Sequence, residues 1–346
     1  MATIREISEK AGVSIATVSK VLNDKGGVSQ ETINNVTSIA QELKYRPNLT
    51  ARNLKKGQSR TIGIITEDLT VFNTPEVVDG IDAYCESQGY HYILGNLRLY
   101  KRFGRYPDPK ESVHLVQSLV DTMLSKQADG IIYVGCHSHA VPPVNTGSDI
   151  PFVYAYCYST DQSIPSVLYD DQKAAYEATQ LLISKGHKKI GVIAGQPESI
   201  HTSNRIIGYQ EALYANSIPY NPRFTLYGNW ERDKGYELCP TLIEAGVTAI
   251  FAHNDLMATG AIEYCNKHGI QAGKDIALIG FDNREISTVC RPTLSSISLP
   301  LFEIGQNATH LMLDILAGNH VPCGQKIMLA CNVIERESTY PCPANA

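Results

Sequence analysis

Two sets of residues in this 346-residue chain carry side chains that could do chemistry. The first is Ile15, Ala16, Thr17, Ser19, Lys20 and Asn23, the outward face of a short helix, placed where a DNA major groove would lie. The second is dispersed: Phe72, Asn73, Tyr156, Gln196, Arg205, Trp230, Asn254 and Asp282, with Tyr158, His201, Thr202 and Asp255 beside them. All of these lie just past the carboxyl ends of short apolar runs, where open α/β sheets bind ligands. An arginine, acids, an amide and an aromatic plate suit a polyhydroxylated small molecule. Carboxylate and guanidinium hold vicinal hydroxyls by charge-assisted hydrogen bonds, and an indole face stacks on a sugar ring.

The first set needs a helix-turn-helix unit to hold it, and Thr3 to Asn23 spells one. Thr3 and Glu6 make a capping box, and Ile4, Ile7 and Ala11 form one apolar stripe. Gly12 supplies the turn, Val13 plugs the angle, Ser14 caps the second helix, and Val18, Val21 and Leu22 face inward. Ser29 caps a third helix, with Glu31 at the positive end of its dipole and Ile33, Val36, Ala40 and Leu43 inward. Pro47 stops it. Leu49 to Gly57 is basic and helix-capable but too short to be helical alone, so it folds only against a partner or DNA.

The second set needs strands. Apolar runs at 61–66, 91–95, 130–134, 151–156, 189–194, 224–227, 248–252 and 276–281 alternate with helical spacers. That pattern predicts parallel sheets covered on both faces, and a rhythm that restarts near residue 160 predicts two similar lobes. No phosphate-binding glycine loop is present, and Gly195-Gln196-Pro197 lacks the required pattern, so no nucleotide cofactor is expected.

The chain carries a net charge of −5, which alone argues against a nucleic-acid partner. The distribution reverses that: residues 1–60 hold ten Lys/Arg against five acids, and the remainder is acidic. A basic head on an acidic body marks a DNA-binding module joined to something else. Nine scattered cysteines without a C-x-x-C pair read as reduced thiols, mostly core fillers. Cys136-His137-Ser138-His139 packs three metal-ligand types into four residues, but a strand end presents them poorly, so no metal is assigned. No cleavable signal and no membrane-length apolar run is seen, so a cytoplasmic location is expected. No Ser-His-Asp order or nucleophile elbow supports an enzyme.

The motifs A-G-V-S-x-A-T-V-S-K-V-L-N, Y-R-P-N-x-x-A-R-x-L, S-N-R-I-I-G-Y-Q-E-A-L, A-H-N-D-L-M-A-T-G-A, G-N-W-E-R-D-K-G-Y and G-F-D-N carry a resemblance. From Thr3 to about Pro341 the chain resembles the lactose-repressor/galactose-repressor (LacI/GalR) transcription regulators. The resemblance implies an all-α helix-turn-helix head at 1–47, a hinge helix and linker at 48–60, and a doubly wound, two-lobed α/β sensor at 61–346 similar to periplasmic binding proteins. The N-lobe is expected at 61–160 and 293–325, the C-lobe at 161–292 and 326–340. It implies that Ile15, Ala16 and Lys20 read base edges and that Leu54 wedges into a base step where two hinge helices pair in the minor groove. Thr3, Ser14, Thr17, Asn23, Thr32 and Lys55 are expected at phosphates. Arg205, Asn254, Asp282 and Trp230 fall on effector positions, and Asp255 reads as a cap on the helix that follows.

Two features depart from the family. Tyr156-Cys157 stands where many relatives have Asp-Arg, and the basic stretch Arg98 to Pro109 is longer than usual and reads as a solvated loop. The implied function is a homodimeric repressor of a carbohydrate-use operon, bound to a pseudo-palindromic operator and released by a sugar-like effector. The alternative is a catabolite-control type whose corepressor is a phosphorylated carrier protein.

Overall fold

The structure is a computed structural model that describes residues 2–23, 26–45, 59–104, 109–144 and 150–341, with side chains omitted at 109–111. The hinge segment, including Leu54 and Lys55, lies outside the described residues. The chain divides into two compact units, Met1–Ser59 and Arg60–Ala346.

The first unit holds three helices: α1 (Ile4–Ala11), α2 (Ile15–Leu22) and α3 (Gln30–Glu42). The capping box is formed, with Thr3 N–H donating to Glu6 at 2.8 Å and Glu6 N–H to the Thr3 hydroxyl at 3.3 Å. Gly12 takes the left-handed conformation (φ 64°) that ends α1, which an L side chain adopts only at a cost. Ser14 and Ser29 cap α2 and α3. Ile7, Val18, Val36 and Ala40 are the buried centre. Ile39 packs on that centre, whereas Ile33 does not join it.

The second unit begins with β1 (Thr61–Thr66), α4 (Thr74–Ser87), β2 (His91–Asn96), α5 (Leu99–Phe103), α6 (Pro109–Ser125), β3 (Gly130–Val134), β4 (Ala140–Val141), β5 (Phe152–Ala155), β6 (Tyr158–Ser159) and β7 (Ser166–Tyr169). It continues through α7 (Asp171–Ser184), β8 (Ile190–Ala194), α8 (Ile200–Ala215), β9 (Thr225–Tyr227), α9 (Arg232–Glu244), β10 (Ala249–Ala252), α10 (Asp255–Lys267), β11 (Ala277–Asp282) and α11 (Ile286–Val289). It closes with β12 (Ser295–Ser298), α12 (Leu301–Leu316), β13 (Lys326–Leu329) and β14 (Asn332–Ile334). One six-stranded sheet runs β13-β7-β5-β3-β1-β2 and is wholly parallel. The other runs β14-β12-β11-β10-β8-β9, parallel except for β14 on β12. No helix among the described residues is long and apolar enough to cross a membrane.

The lobe boundaries differ from those the apolar rhythm suggested. β7 and β13 join the N-lobe sheet, although 161–170 and 326–340 were expected in the C-lobe. β12 joins the C-lobe sheet, although 293–325 was expected in the N-lobe. The chain therefore crosses between lobes after Tyr169, after Ser298 and after Leu329. These strands are each only four residues long, and β12 reads S-S-I-S. Its buried serines are satisfied by Thr339 (2.7 Å) and Asp255 (2.5 Å), so hydrogen bonding rather than hydrophobicity seats them.

Helix α10, which carries the Asn254-Asp255 end into the C-lobe, is held by close backbone approach to α9. A Cβ on Gly235 would lie 2.0 Å from the Met257 carbonyl oxygen, and one on Gly260 2.0 Å from that of Arg232. In the stretch expected to be a solvated loop, Arg98 and residues 100–104 are exposed, but Leu99–Phe103 is helical and Leu99 is buried.

Candidate functional site

The head offers a prepared surface. Ile15 is 52% exposed, and Ala16 and Lys20 are exposed with it on α2. The Ser14 hydroxyl accepts the Thr17 N–H at 3.1 Å and stands 2.9 Å from the Thr17 hydroxyl. Thr32 makes the same pair of contacts to Ser29 at the start of α3. The Asn23 amide donates back to the Ser19 carbonyl at 2.7 Å. These side chains, with Thr3, order the ends of the helices and hold the face rigid.

Between the lobes of the second unit lies a cavity of about 330 Å³, at the small end of the range for ligand sites. Its walls come from the carboxyl ends of both sheets, as expected for doubly wound folds. Phe72 follows β1, His137 follows β3, Tyr156 follows β5 and Tyr169 ends β7. From the other lobe, His201 and Arg205 stand on α8, Trp230 follows β9, Asn254 precedes α10 and Asp282 ends β11. Phe72, Tyr156, Arg205, Trp230, Asn254 and Asp282 are thus brought together. Asn73 and Gln196 are not among the lining residues. Asn73 is buried with its amide donating to the Gly135 carbonyl at 3.3 Å, and Gln196 turns the chain into α8, its carbonyl accepting from Ser199 N–H.

Arg205 is already partnered. Its Nε donates to Asp171 at 2.7 Å, Nη2 to the Tyr169 hydroxyl at 3.0 Å, and Nη1 to the His253 carbonyl. The guanidinium lies over the Phe281 ring, 3.5 Å from its centroid. Burial would raise the pKa of Asp171, but the adjoining His201 and Arg205 overcome it and hold the group at about 2. Arg205 therefore serves first as the counter-ion of Asp171, not as a free clamp for hydroxyls.

Asn254 is likewise engaged: its Oδ1 caps α10 by accepting the Met257 N–H at 2.8 Å, and its Nδ2 donates to the Trp230 carbonyl at 2.8 Å. The expected capping role of Asp255 belongs to Asn254. Asp255 instead accepts from Ser296 Oγ (2.5 Å) and Arg284 N–H (2.6 Å), tying β11 and β12 to the start of α10. Asp282 is different. No described residue hydrogen-bonds its carboxyl, burial pushes its pKa up to about 7 against the pull of Arg205 and Arg284, and it opens into the cavity. It is the acceptor left over for a ligand.

A family model for the bacterial regulatory proteins of the lacI family matches residues 3–48, and one for a periplasmic binding protein-like domain matches 179–339. The HTH-type transcriptional repressor CytR of Escherichia coli K12 is 32% identical over 345 residues, 99% of this chain and 97% of that one. The chain belongs to the LacI family. It is a DNA-binding transcription regulator with a helix-turn-helix head and a two-lobed α/β body. Catabolite control protein A of Priestia megaterium is 33% identical over 314 residues, 90% of this chain and 91% of that protein. The lac repressor dimer bound to operator and an anti-inducer superposes with a TM-score of 0.77 at 25% identity, covering 98% of this chain and 99% of that one.

In this LacI-family chain the sequence reading missed Tyr100, Tyr169, Asp171 and Arg284, and it considered His137 only as a metal ligand. Tyr100 sits in the stretch taken for solvent, and Arg284, whose guanidinium lies 4.8 Å from the Phe72 ring centroid, spans the lobes. Asp171 follows β7, the strand the apolar pattern did not reveal. His201, noted only as a neighbour, also spans the lobes. One ring nitrogen stands 2.6 Å from Asp171, and the other accepts the Ser138 N–H at 3.0 Å. Both bonds fit the tautomer with hydrogen on Nδ1. His201→Phe keeps the stack on Tyr169 but loses both bonds, and is expected to raise the effector dissociation constant about tenfold, or about 1.4 kcal/mol. His201→Gln, which can donate and accept, recovers most of that. Fluorescence titration measures both, and equal affinities in the two variants rule out the cross-lobe bond.

Proposed function

We propose that this regulator is a cytoplasmic repressor that binds a pseudo-palindromic operator as a homodimer, and that a small polyhydroxylated effector in the inter-lobe cavity releases it. The observation that carries the reading is the Asp282 carboxyl, hydrogen-bonded by no described residue and opening into a cavity walled by Phe72, Tyr100, Tyr156, Tyr169 and Trp230. Rings pack on the apolar faces of a sugar, and a carboxylate accepts from its hydroxyls. The head supplies two apolar contacts and one cation, too few for specificity from one copy, so paired half-sites and the hinge make up the difference. An effector that binds the two lobe arrangements unequally shifts the equilibrium between operator-bound and free forms.

Trp230 is the only tryptophan and stands in the cavity wall, so its fluorescence reports binding directly. Titration with sugars and sugar phosphates is expected to give a saturable change, and the same concentrations should abolish the operator gel shift. A flat response to every ligand would remove the cavity assignment. Leu54→Ala is expected to weaken operator binding while effector affinity stays near normal, because the wedge acts at a base step and not at the cavity. An unchanged gel shift would sink the wedge.

A further inference from the structure

Beside the effector cavity, at the carboxyl ends of β1 and β3, Glu67, His137 and His139 bring one ligand atom each to within 4.8 Å of one another. Glu67 is buried, and both histidines are partly exposed. The sequence offered Cys136 with the two histidines, but the Cys136 thiol turns to the Asp68 carbonyl and Glu67, about seventy residues earlier, takes its place.

The hydrogen bonding around these groups has the form of a metal site with its supporting shell. His139 Nδ1 lies 2.8 Å from the His137 carbonyl oxygen, which fixes the hydrogen there and leaves the Nε2 lone pair outward. That lone pair faces Glu67 Oε1 at 3.0 Å. A lone pair and a carboxylate that converge need a cation between them, either a second proton or a metal ion. The Tyr133 hydroxyl (2.9 Å) and the Cys136 N–H (2.8 Å) orient the carboxylate from behind. His137 stacks on the His139 ring, 4.3 Å between centroids, and brings a second imidazole nitrogen to the same carboxylate, the donor set that a metal ion takes. Tetrahedral bonds of about 2.0–2.1 Å put ligand atoms about 3.3 Å apart, so the group needs only to contract.

We propose that Glu67, His137 and His139 bind a divalent ion of the zinc class, with a fourth position open toward the cavity that His137 lines. Two imidazoles and one carboxylate suit Zn²⁺ and Co²⁺ over Mg²⁺ or Ca²⁺. The site stands whether or not the cavity holds a sugar. It also reaches the lobe contact, because the next residue after His137, Ser138, donates its N–H to His201.

The test is Co²⁺ titration of the chelator-treated full chain, followed by visible absorption, with Zn²⁺ competition and equilibrium dialysis. One Co²⁺ per chain is expected, with ligand-field bands in the visible and no thiolate charge-transfer bands. Zn²⁺ should displace it. His139→Ala takes the facing imidazole from the buried Glu67 and could fail to fold, so His137→Ala is the second variant, with folding checked by its melting curve. Affinity at least tenfold weaker in folded His137→Ala supports the site. Absence of binding, thiolate bands, or unchanged affinity in that variant overturns it.

Discussion

Replacing Arg205 by methionine is expected to destabilise the second unit by about 3–5 kcal/mol, the usual cost of stranding one member of a buried ion pair. Arg205 and Asp171 are each only 3% exposed. Removing the guanidinium leaves Asp171 with His201 alone, takes the Arg205 donor from the His253 carbonyl, and leaves the Tyr169 hydroxyl only the His201 ring nitrogen at 3.1 Å. Asp171→Asn combined with Arg205→Met should cost less than Arg205→Met alone, because no charge is then left unpaired. Arg205→Lys keeps the charge but not the fork that reaches three acceptors at once, so it should fall between. Urea unfolding of the three variants makes the comparison. A loss below about 1 kcal/mol in Arg205→Met would mean that the pair contributes little and that the arginine is free for the effector. The same substitution removes an attraction that lowers the pKa of Asp282, so the cavity's free acceptor would be more protonated at neutral pH and effector affinity should fall with stability.

What could be read from the sequence follows the range of the interactions involved. The Thr3–Glu6 capping box, the Gly12 turn and the Ser14 cap are contacts between residues three to five apart, and the linear pattern contains them whole. The eight apolar strands were legible for the same reason, since each carries its own periodicity. β7, β12 and β13 were not: short strands containing serine or lysine take their place from neighbours far along the chain, and the lobe boundaries moved with them.

The cavity was legible as a set of strand ends and less so as chemistry. Arg205 and Asp282 were placed correctly in the wall, but nothing near Arg205 in sequence announces Asp171, 34 residues earlier, as its partner. Asn254 and Asp255 show the opposite limit. Adjacent residues of similar size divided two roles, cap and tether, according to which side chain the backbone turned toward Ser296. Asn73 and Gln196 had the right position in sequence, yet the cavity wall excludes both.

Asp255→Asn should flatten the fall of stability with rising pH. Burial, with the nearby Asp282 adding to it, pushes the Asp255 carboxyl up to about 8, against an ordinary value of 3.8. Between those values the folded chain keeps a proton that the unfolded chain has released, so stability falls as pH rises, by up to about 1.4 kcal/mol per pH unit. The contribution is complete below about pH 4 and is lost as pH rises through the folded value. Protonation turns the Ser296 bond round, so that Asp255 donates to the hydroxyl instead of accepting from it, and asparagine imitates that form: its Nδ2 can donate to Ser296 Oγ while its Oδ1 accepts the Arg284 N–H. The variant should therefore match the native chain near pH 4, begin to exceed it by pH 5, and exceed it near pH 8.5 by about 2 kcal/mol or more, a lower figure than full linkage gives because partial opening relieves a buried charge. Asp282, held near 7, keeps some of the slope at lower pH in both proteins. Urea midpoints at pH 5, 6.5, 8 and 8.5 provide the measurement. Parallel curves for the two chains would show that Asp255 is ionised in the fold, with the Arg284 N–H and the Ser296 hydroxyl sufficient to hold its charge.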